Sequence, residues 1–369
     1  MAQKDKSFDF GITTLMGARF SVLKYLLSKY GYDKKYQKKV IYSSLISLVV
    51  SLLAYADKIV FALKGKPKNL KDPVFVLGHW RSGTTFLHNL LCLDKDTAFC
   101  TTYQTVFPNN LFAFQWFFKP IMKMAMPSHR PVDNVELNPN YPQEEEFALN
   151  NEIPFSFYNW WYFPKKTRAI ADEYLLDKTT SQKDWDLWSK NFKRFVQRCI
   201  LNTNGRRFIS KNPPHTARIP QLLKLYPNAK FIFIHRNPYE VVRSTNSFYK
   251  SILEGIKLQD IEDEQLLDDI LEVYRSLIEK YYEDSNLIPE KNRFEVRYGD
   301  LVNDPKHIIK SIYQDLLQDD FTRVEKPLTA FVEGLSHQLK EYKYQPEFIE
   351  KVNAALGEII KKQDYDLLD

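Results

Sequence analysis

Apolar residues fall along this chain in short dense runs, and four of those runs read as β-strands. Val74 to His79 (VFVLGH), Phe208 to Lys211 (FISK), Ala229 to Arg236 (AKFIFIHR) and Arg293 to Tyr298 (RFEVRY) are rich in β-branched or aromatic residues. Two of them are almost wholly apolar, as strands covered on both faces must be. Helical patterns follow. TTFLHNLLCL sets Phe86, Leu87, Leu90 and Leu91 on one side, and Asn237-Pro238 and Asp304-Pro305 each offer a cap with proline at the first helical position. Strands alternating with helices predict an α/β fold: a P-loop-like parallel β-sheet flanked by helices, with ligands at the carboxyl ends of the strands.

Two stretches stand outside that alternation. From Val40 to Ala56 the chain carries no charge, with Lys38 and Lys39 before it and Asp57 and Lys58 after. Its length falls short of the about 20 residues a membrane span needs. Ser43, Ser47 and Ser51 recur at i+4 and form a weakly polar stripe on an otherwise apolar helix. That pattern suits a helix packed on the domain, while the basic flanks also suit one lying in a membrane interface. The second stretch separates the first two predicted strands, where seventeen of the 67 residues from Thr97 to Phe163 are Phe, Tyr or Trp. So much aromatic area forms a subsidiary core, the wall of an acceptor pocket, or both. The expected layout is a helical extension over residues 1–70 and a main domain over 71–369, in which 97–207 is the aromatic-rich, acceptor-side insertion.

Composition narrows the class without choosing it. The 369 residues are 44% hydrophobic and 27% charged, which suits a folded globular chain. The net charge of +6 is a mild excess that fits a phosphorylated ligand, and the motifs of nucleic-acid-binding modules are absent, so no nucleic-acid partner is expected. Cys92, Cys100 and Cys199 form neither a CxxC pair nor an even framework, which reads as buried thiols in a reducing compartment. The first residues, MAQKDKSFDFGITTLMG, lack the apolar core of a secretory signal. The expected location is cytoplasmic, with peripheral membrane contact open through the apolar helix.

Chemistry concentrates after the first strand, in Gly78-His79-Trp80-Arg81-Ser82-Gly83-Thr84-Thr85. Glycines at both ends let backbone N–H groups converge on an anion, and the helix N-terminus that follows adds partial positive charge. The frame is nearly G-x-x-x-x-G-K-[ST], but the lysine that reaches the β- and γ-phosphates of a nucleoside triphosphate is Thr84 here. The cation sits inside the loop instead, as Arg81, with Ser82, Thr84 and Thr85 supplying hydroxyls. Further on, Arg236 ends a predicted strand and Ser244 lies eight positions later in the following helix. A charge there meets a ligand lying across the sheet edge.

With those residues in hand, the chain resembles the 3′-phosphoadenosine 5′-phosphosulfate-dependent sulfotransferases. GHWRSGTTFLHNLL is similar to their 5′-phosphosulfate loop and RNPYEVVRS to their 3′-phosphate motif, while KNPPHTARIPQLLKLYPNAKFIFIHR and RYGDLVNDP extend the resemblance from about Pro73 to about Pro305. It implies that Arg81, Ser82, Gly83, Thr84 and Thr85 hold the 5′-phosphosulfate, and that Arg236 and Ser244 hold the 3′-phosphate. Phe86 stands where many members place a tryptophan against adenine, and Tyr298 where adenine is also contacted. Lys211 matches a lysine used near the scissile bond, a task Arg81 can share.

The run Pro142-Gln143-Glu144-Glu145-Glu146-Phe147-Ala148-Leu149 resembles the P-x-E-x-E-x-A-L stretch of the family's carboxylate-using branch. On a helix, Glu144 and Glu146 point roughly 200° apart, so one of the two enters a site; Glu144 is the first candidate base and Glu146 the second. Acids stabilising a helix N-terminus are the simpler account of the run, and His215 is an alternative base. Sulfuryl transfer is an in-line displacement that requires no metal, and no ligand-spaced set for one is present in the sequence. The implied function is transfer of a sulfuryl group from that donor to a hydroxyl of a small-molecule acceptor, a lipid-like alcohol or a carbohydrate. Two other classes stay open: a P-loop nucleotide-dependent kinase, and a non-catalytic phosphoadenosine-binding protein.

Overall fold

A computed structural model describes residues 13–126, 137–334 and 342–369. They divide into two compact units: one drawn from Met1–Gly65, Thr101–Arg198 and Asn246–Asp269, the other from Lys66–Cys100, Cys199–Thr245 and Ile270–Asp369.

The second unit contains the sheet. Its strands are β1 (Val74–Leu77), β2 (Thr97–Ala98), β3 (Arg207–Lys211), β4 (Lys230–His235) and β5 (Arg293–Arg297), in the order β2-β3-β1-β4-β5. Every pairing is parallel, with Val76 beside Lys211, Leu77 beside Phe233 and His235 beside Arg297. Alternation along the strands builds two layers. Val74, Val76, Ile209, Ile232, Ile234 and Val296 turn to one face and pack with Leu87, Leu90 and Leu91 of the helix Thr84–Leu91 and with Ile309, Ile312 and Leu316 near the carboxyl end. Phe75, Phe231 and Phe233 belong to the opposite face, where Phe75 meets Phe231 at 5.5 Å and Phe233 stacks on Tyr281 at 3.7 Å between ring centroids. Burial on both faces is why these runs carry so few polar residues. The predicted α/β fold with its parallel sheet is the one observed; the two-residue edge strand β2 is too short to leave a periodic signal.

Both predicted caps form. Tyr239 N–H donates to Asn237 Oδ1 at 3.1 Å ahead of the helix Pro238–Ile256, and His307 N–H donates to Asp304 Oδ1 at 3.0 Å ahead of Pro305–Ser311.

The first unit is helical. The later part of its aromatic stretch packs around buried Tyr158, Trp160 and Trp161: half-buried Phe147 meets Tyr158 at 4.5 Å and Trp161 at 5.1 Å, and Trp160 meets Tyr249 at 4.6 Å. The apolar run of the sequence lies within a longer helix, Gln37–Leu63. Its serine stripe faces inward: Ser43 and Ser47 are buried, Thr13 N–H donates to Ser43 Oγ at 3.0 Å, Phe20 N–H to Ser51 Oγ at 2.8 Å, and Ser47 Oγ donates to the Ala18 carbonyl at 2.7 Å.

Candidate functional site

The turn after β1 takes its shape from three residues in left-handed backbone. Gly78 has φ +140°, Arg81 +68° and Gly83 +100°. Glycine is required at two of them for space as well as angle. A Cβ on Gly78 lands on the Ile234 carbonyl, and one on Gly83 lands on the Tyr298 ring. The loop is also tied from outside: Gly78 N–H donates to Thr216 Oγ1 at 2.8 Å, from the turn that follows β3. Ser82 is buried and its hydroxyl lies 2.7 Å from the His79 carbonyl and 3.2 Å from that of Ile234, so it braces the loop onto β4. Gly83 caps the helix Thr84–Leu91 without a side chain of its own. The first N–H groups of a helix have no partners within it, and they add partial positive charge beside Arg81. Thr84 is buried at that N-terminus and Thr85 is half-buried.

Arg81 and Ser244, 163 residues apart in the sequence, meet here: Arg81 Nε donates to Ser244 Oγ at 3.0 Å. Arg236 follows β4 at the same carboxyl edge. Its Nε donates to Glu240 Oε2 at 2.8 Å, and its guanidinium carbon lies 4.4 Å from the centroid of the Tyr298 ring. One cation is thus held in the loop and a second beyond the next strand, each fixed by a hydroxyl, a carboxylate or an aromatic face. Phe86 and Tyr298, both half-buried, each pack against the core cluster on that face of the sheet.

Lys211 ends β3 beside Val76 and is 1% exposed. Burial first, and the Lys211 ammonium second, push His88 down to about 3, so the imidazole is neutral; its Nε2 lies 3.3 Å from the Ile209 carbonyl. His79 is likewise pushed down to about 3 by burial, with its ring 4.3 Å from Tyr274. His215 is wholly buried, edge-on to Phe75 at 5.7 Å and beside the Asn212 amide.

The glutamates belong to the helical unit. Glu144 stands at the N-cap position of the helix Glu145–Glu152, with no capping bond from its side chain, and is half-buried; Tyr158 Oη donates to its Oε2. Glu146 is wholly buried and its Oε1 accepts from Ser156 Oγ at 2.9 Å and from Phe157 N–H at 3.2 Å. Two glutamates two residues apart therefore occupy different environments: Glu146 fastens the aromatic turn, and Glu144 keeps surface open beside a phenol.

Thr216, Glu240, Tyr274 and Tyr158 are functional candidates that the sequence alone does not single out. Glu240 carries the one local signal among them, an i,i+4 spacing from Arg236 across the start of the helix Pro238–Ile256. Among the described residues no group of three or more His, Cys, Asp or Glu is placed to hold a metal ion.

Residues 73–319 match the model of the sulfotransferase family. The omega-hydroxy-beta-dihydromenaquinone-9 sulfotransferase Stf3 of Mycobacterium bovis is 32% identical over 323 residues, covering 87% of this chain and 82% of that protein, and its Mycobacterium tuberculosis counterpart matches equally. Among solved structures, the sulfotransferase STF9 from Mycobacterium avium superposes with a TM-score of 0.68 at 17% identity, covering 95% of this chain and 98% of that one. STF1 from Mycobacterium tuberculosis gives 0.64 at 18% identity, with 90% of each chain covered.

Proposed function

Since the chain belongs to the sulfotransferase family and is an enzyme of sulfuryl transfer, we propose that its donor is 3′-phosphoadenosine 5′-phosphosulfate and its acceptor the hydroxyl of an apolar, lipid-like alcohol. The observation that carries the donor is the pair of fixed cations at the carboxyl edge of β1 and β4: Arg81 bonded to Ser244, and Arg236 bonded to Glu240 over Tyr298. A donor with anions at both its 5′ and 3′ positions needs two such points. The glycine-framed loop with its helix N-terminus suits a compact tetrahedral group, and the lack of a lysine at Thr84 disfavours a triphosphate.

In this reading Arg81, Gly83, Thr84 and Thr85 hold the phosphosulfate, with Ser82 bracing the loop from below. Arg236 and Ser244 take the 3′-phosphate, and Phe86 and Tyr298 flank adenine. The acceptor oxygen bonds to sulfur as the bridging sulfur–oxygen bond breaks, and the negative charge that grows on the departing phosphate is met by Lys211 and Arg81. The acceptor's proton goes to Glu144, whose bond from Tyr158 orients the carboxylate. Glu146 stands second as a base, because its Oε1 is committed to Ser156 and Phe157. Residues 71–369 are the sulfotransferase domain in this scheme, with 97–207 on the acceptor side and 1–70 a helical extension.

An apolar acceptor is supported by a relative named for a hydroxylated menaquinone and by the aromatic packing of residues 147–163. The test is transfer from radiolabelled donor to a panel of hydroxylated isoprenoids, sugars and phenols. Label in the isoprenoids alone is expected; label in sugars alone overturns the acceptor class. In the same assay Glu144→Gln lowers kcat roughly 100-fold or more while binding of adenosine 3′,5′-bisphosphate is unchanged. Unchanged kcat would remove Glu144 from the chemistry.

A further inference from the structure

The helix Gln37–Leu63 turns its most apolar face outward. Its inward face carries polar groups beside the apolar Val40, Val50 and Ala54. Ser43, Ser47 and Asp57 are buried there; Asp57 accepts from Ala113 N–H at 2.9 Å and from Arg198 Nη2 at 2.7 Å, and Lys39 Nζ donates to the Gly255 carbonyl at 2.9 Å. Its outward face is Leu45, Leu48, Val49, Leu52, Tyr55 and Ile59, at helical spacing, with Leu52 64% exposed and Leu63 at the end 82% exposed. In water alone, this arrangement forgoes the burial of about ten side chains' worth of apolar surface. It is favourable only if something apolar covers that face.

A second helix of the same unit extends the surface. Gln115–Ala125 packs inward through Phe118 and Met122 onto the cluster that holds Val50 and Ile46 of the long helix, with Phe118 stacked on Phe107 at 4.9 Å. It leaves Trp116, Phe117, Ile121 and Met124 exposed, Trp116 at 74% and Met124 at 80%.

The charge around these helices names the occupant. Residues 34–70 and 111–126 together carry ten lysines and one aspartate, the buried Asp57, so the rest of the chain is net negative; of the ten, Lys39 is buried and bonded inward and Lys35 pairs with Asp260. Lys58 Nζ lies 4.8 Å from the Tyr55 ring centroid and Lys64 Nζ 5.0 Å from that of Phe112, stems along the apolar surface and ammonium groups at its margin. That is how lysines border a face that enters a membrane boundary. We propose that the outward face of Gln37–Leu63, with Trp116, Phe117, Ile121 and Met124 beside it, seats this enzyme on an anionic lipid surface. A second copy is a poor occupant, since a twofold contact brings the same lysine margin against itself. A bilayer span is a poor description, since the helix spends one face on bonds to its own unit. The inference stands apart from the donor and acceptor assignments, which concern other residues.

The test is flotation of the full-length protein with vesicles of equimolar phosphatidylcholine and phosphatidylglycerol, and with phosphatidylcholine alone. The protein is expected to float with the anionic vesicles, less in high salt, and weakly with the neutral ones. The triple variant Leu48→Ser, Leu52→Ser, Trp116→Ser is expected to partition roughly 100-fold less, from a few-fold loss per apolar side chain. A second variant, Lys64→Glu with Lys66→Glu and Lys68→Glu, leaves the apolar face intact and is expected to lose the preference for anionic vesicles. Binding of adenosine 3′,5′-bisphosphate, measured on each variant, checks the fold independently of the membrane. The proposal is overturned if the wild type stays unbound with both vesicle types, or if the triple variant floats equally well. It is also overturned if sedimentation gives a dimer that the triple variant loses, or if alkaline carbonate fails to release the protein.

Discussion

Replacing Arg236 by alanine isolates the 3′-phosphate from every other part of the donor. The guanidinium is 15% exposed, bonded through Nε to Glu240 at 2.8 Å and stacked on Tyr298 at 4.4 Å, so it is already ordered before any ligand arrives. A preordered cation loses little entropy when it meets an anion. Hydrogen bonds to charged groups contribute about 1.5–3 kcal/mol, so Arg236→Ala is expected to raise the Kd of adenosine 3′,5′-bisphosphate roughly 10- to 150-fold. Truncation also leaves the Glu240 carboxylate facing the phosphate without its neutralising partner, which places the effect toward the upper end. The double variant Arg236→Ala, Glu240→Ala should therefore recover part of the loss. Calorimetry with adenosine 3′,5′-bisphosphate and with adenosine 5′-phosphate separates the causes. Only the first ligand has the phosphate that Arg236 is assigned. A loss of equal size for both would mean that the variant acts through Tyr298 and adenine, and the 3′-phosphate assignment would be refuted.

Gly83→Ala puts a Cβ at φ +100° against the Tyr298 ring, with backbone strain alone of about 1–2 kcal/mol. The melting temperature should fall and adenosine 3′,5′-bisphosphate binding should weaken; a variant neutral in both would mean that the loop is freer than its geometry indicates. Acid should destabilise the fold early. His79 and His88 are pushed down to about 3 and His235 to about 4, each chiefly by burial, against 6.5 in the unfolded chain. Their contribution is full above about 6.5 and is lost as pH falls toward the folded values. Denaturant melts at pH 7 and pH 5 measure it, and a flat profile between them would show that these imidazoles are open to water.

What the sequence discloses depends on whether a residue's environment is set locally. The strands were legible because VFVL and KFIFIH are buried on both faces, and burial of that kind removes polar residues from a short run. The loop was legible because its φ angles require glycine at Gly78 and Gly83, whatever the rest of the chain does. The partners that complete the site were not. Thr216 reaches Gly78 from 138 residues away, and Arg81 reaches Ser244 across 163, so nothing near either residue in sequence marks the pair. The glutamate run was legible as chemistry but not as geometry. Glu144 and Glu146 differ because Ser156 and Phe157 turn back onto one and Tyr158 onto the other.

The serine-striped helix shows the same limit most sharply. Its periodicity separates two faces, but which face lies inward depends on what the neighbouring elements need. Here they need hydrogen bonds: Thr13 N–H and Phe20 N–H sit at the entry to short helices and the Ala18 carbonyl at the exit of one, where backbone groups lack intrahelical partners. Serines satisfy them, and the leucines are turned out. Adjacent positions should then invert the ordinary ranking of core and surface substitutions. Ser47 is wholly buried and bonds the Ala18 carbonyl at 2.7 Å, so Ser47→Ala strands a buried acceptor and should cost about 1–3 kcal/mol. Leu48, one residue on, is 44% exposed, and Leu48→Ser should stay within about 0.5–1 kcal/mol in lipid-free buffer. Urea melts of the two variants decide the matter. If the leucine variant is the less stable of the pair, the inward polar face is wrong, and with it the reason for an apolar face turned to lipid.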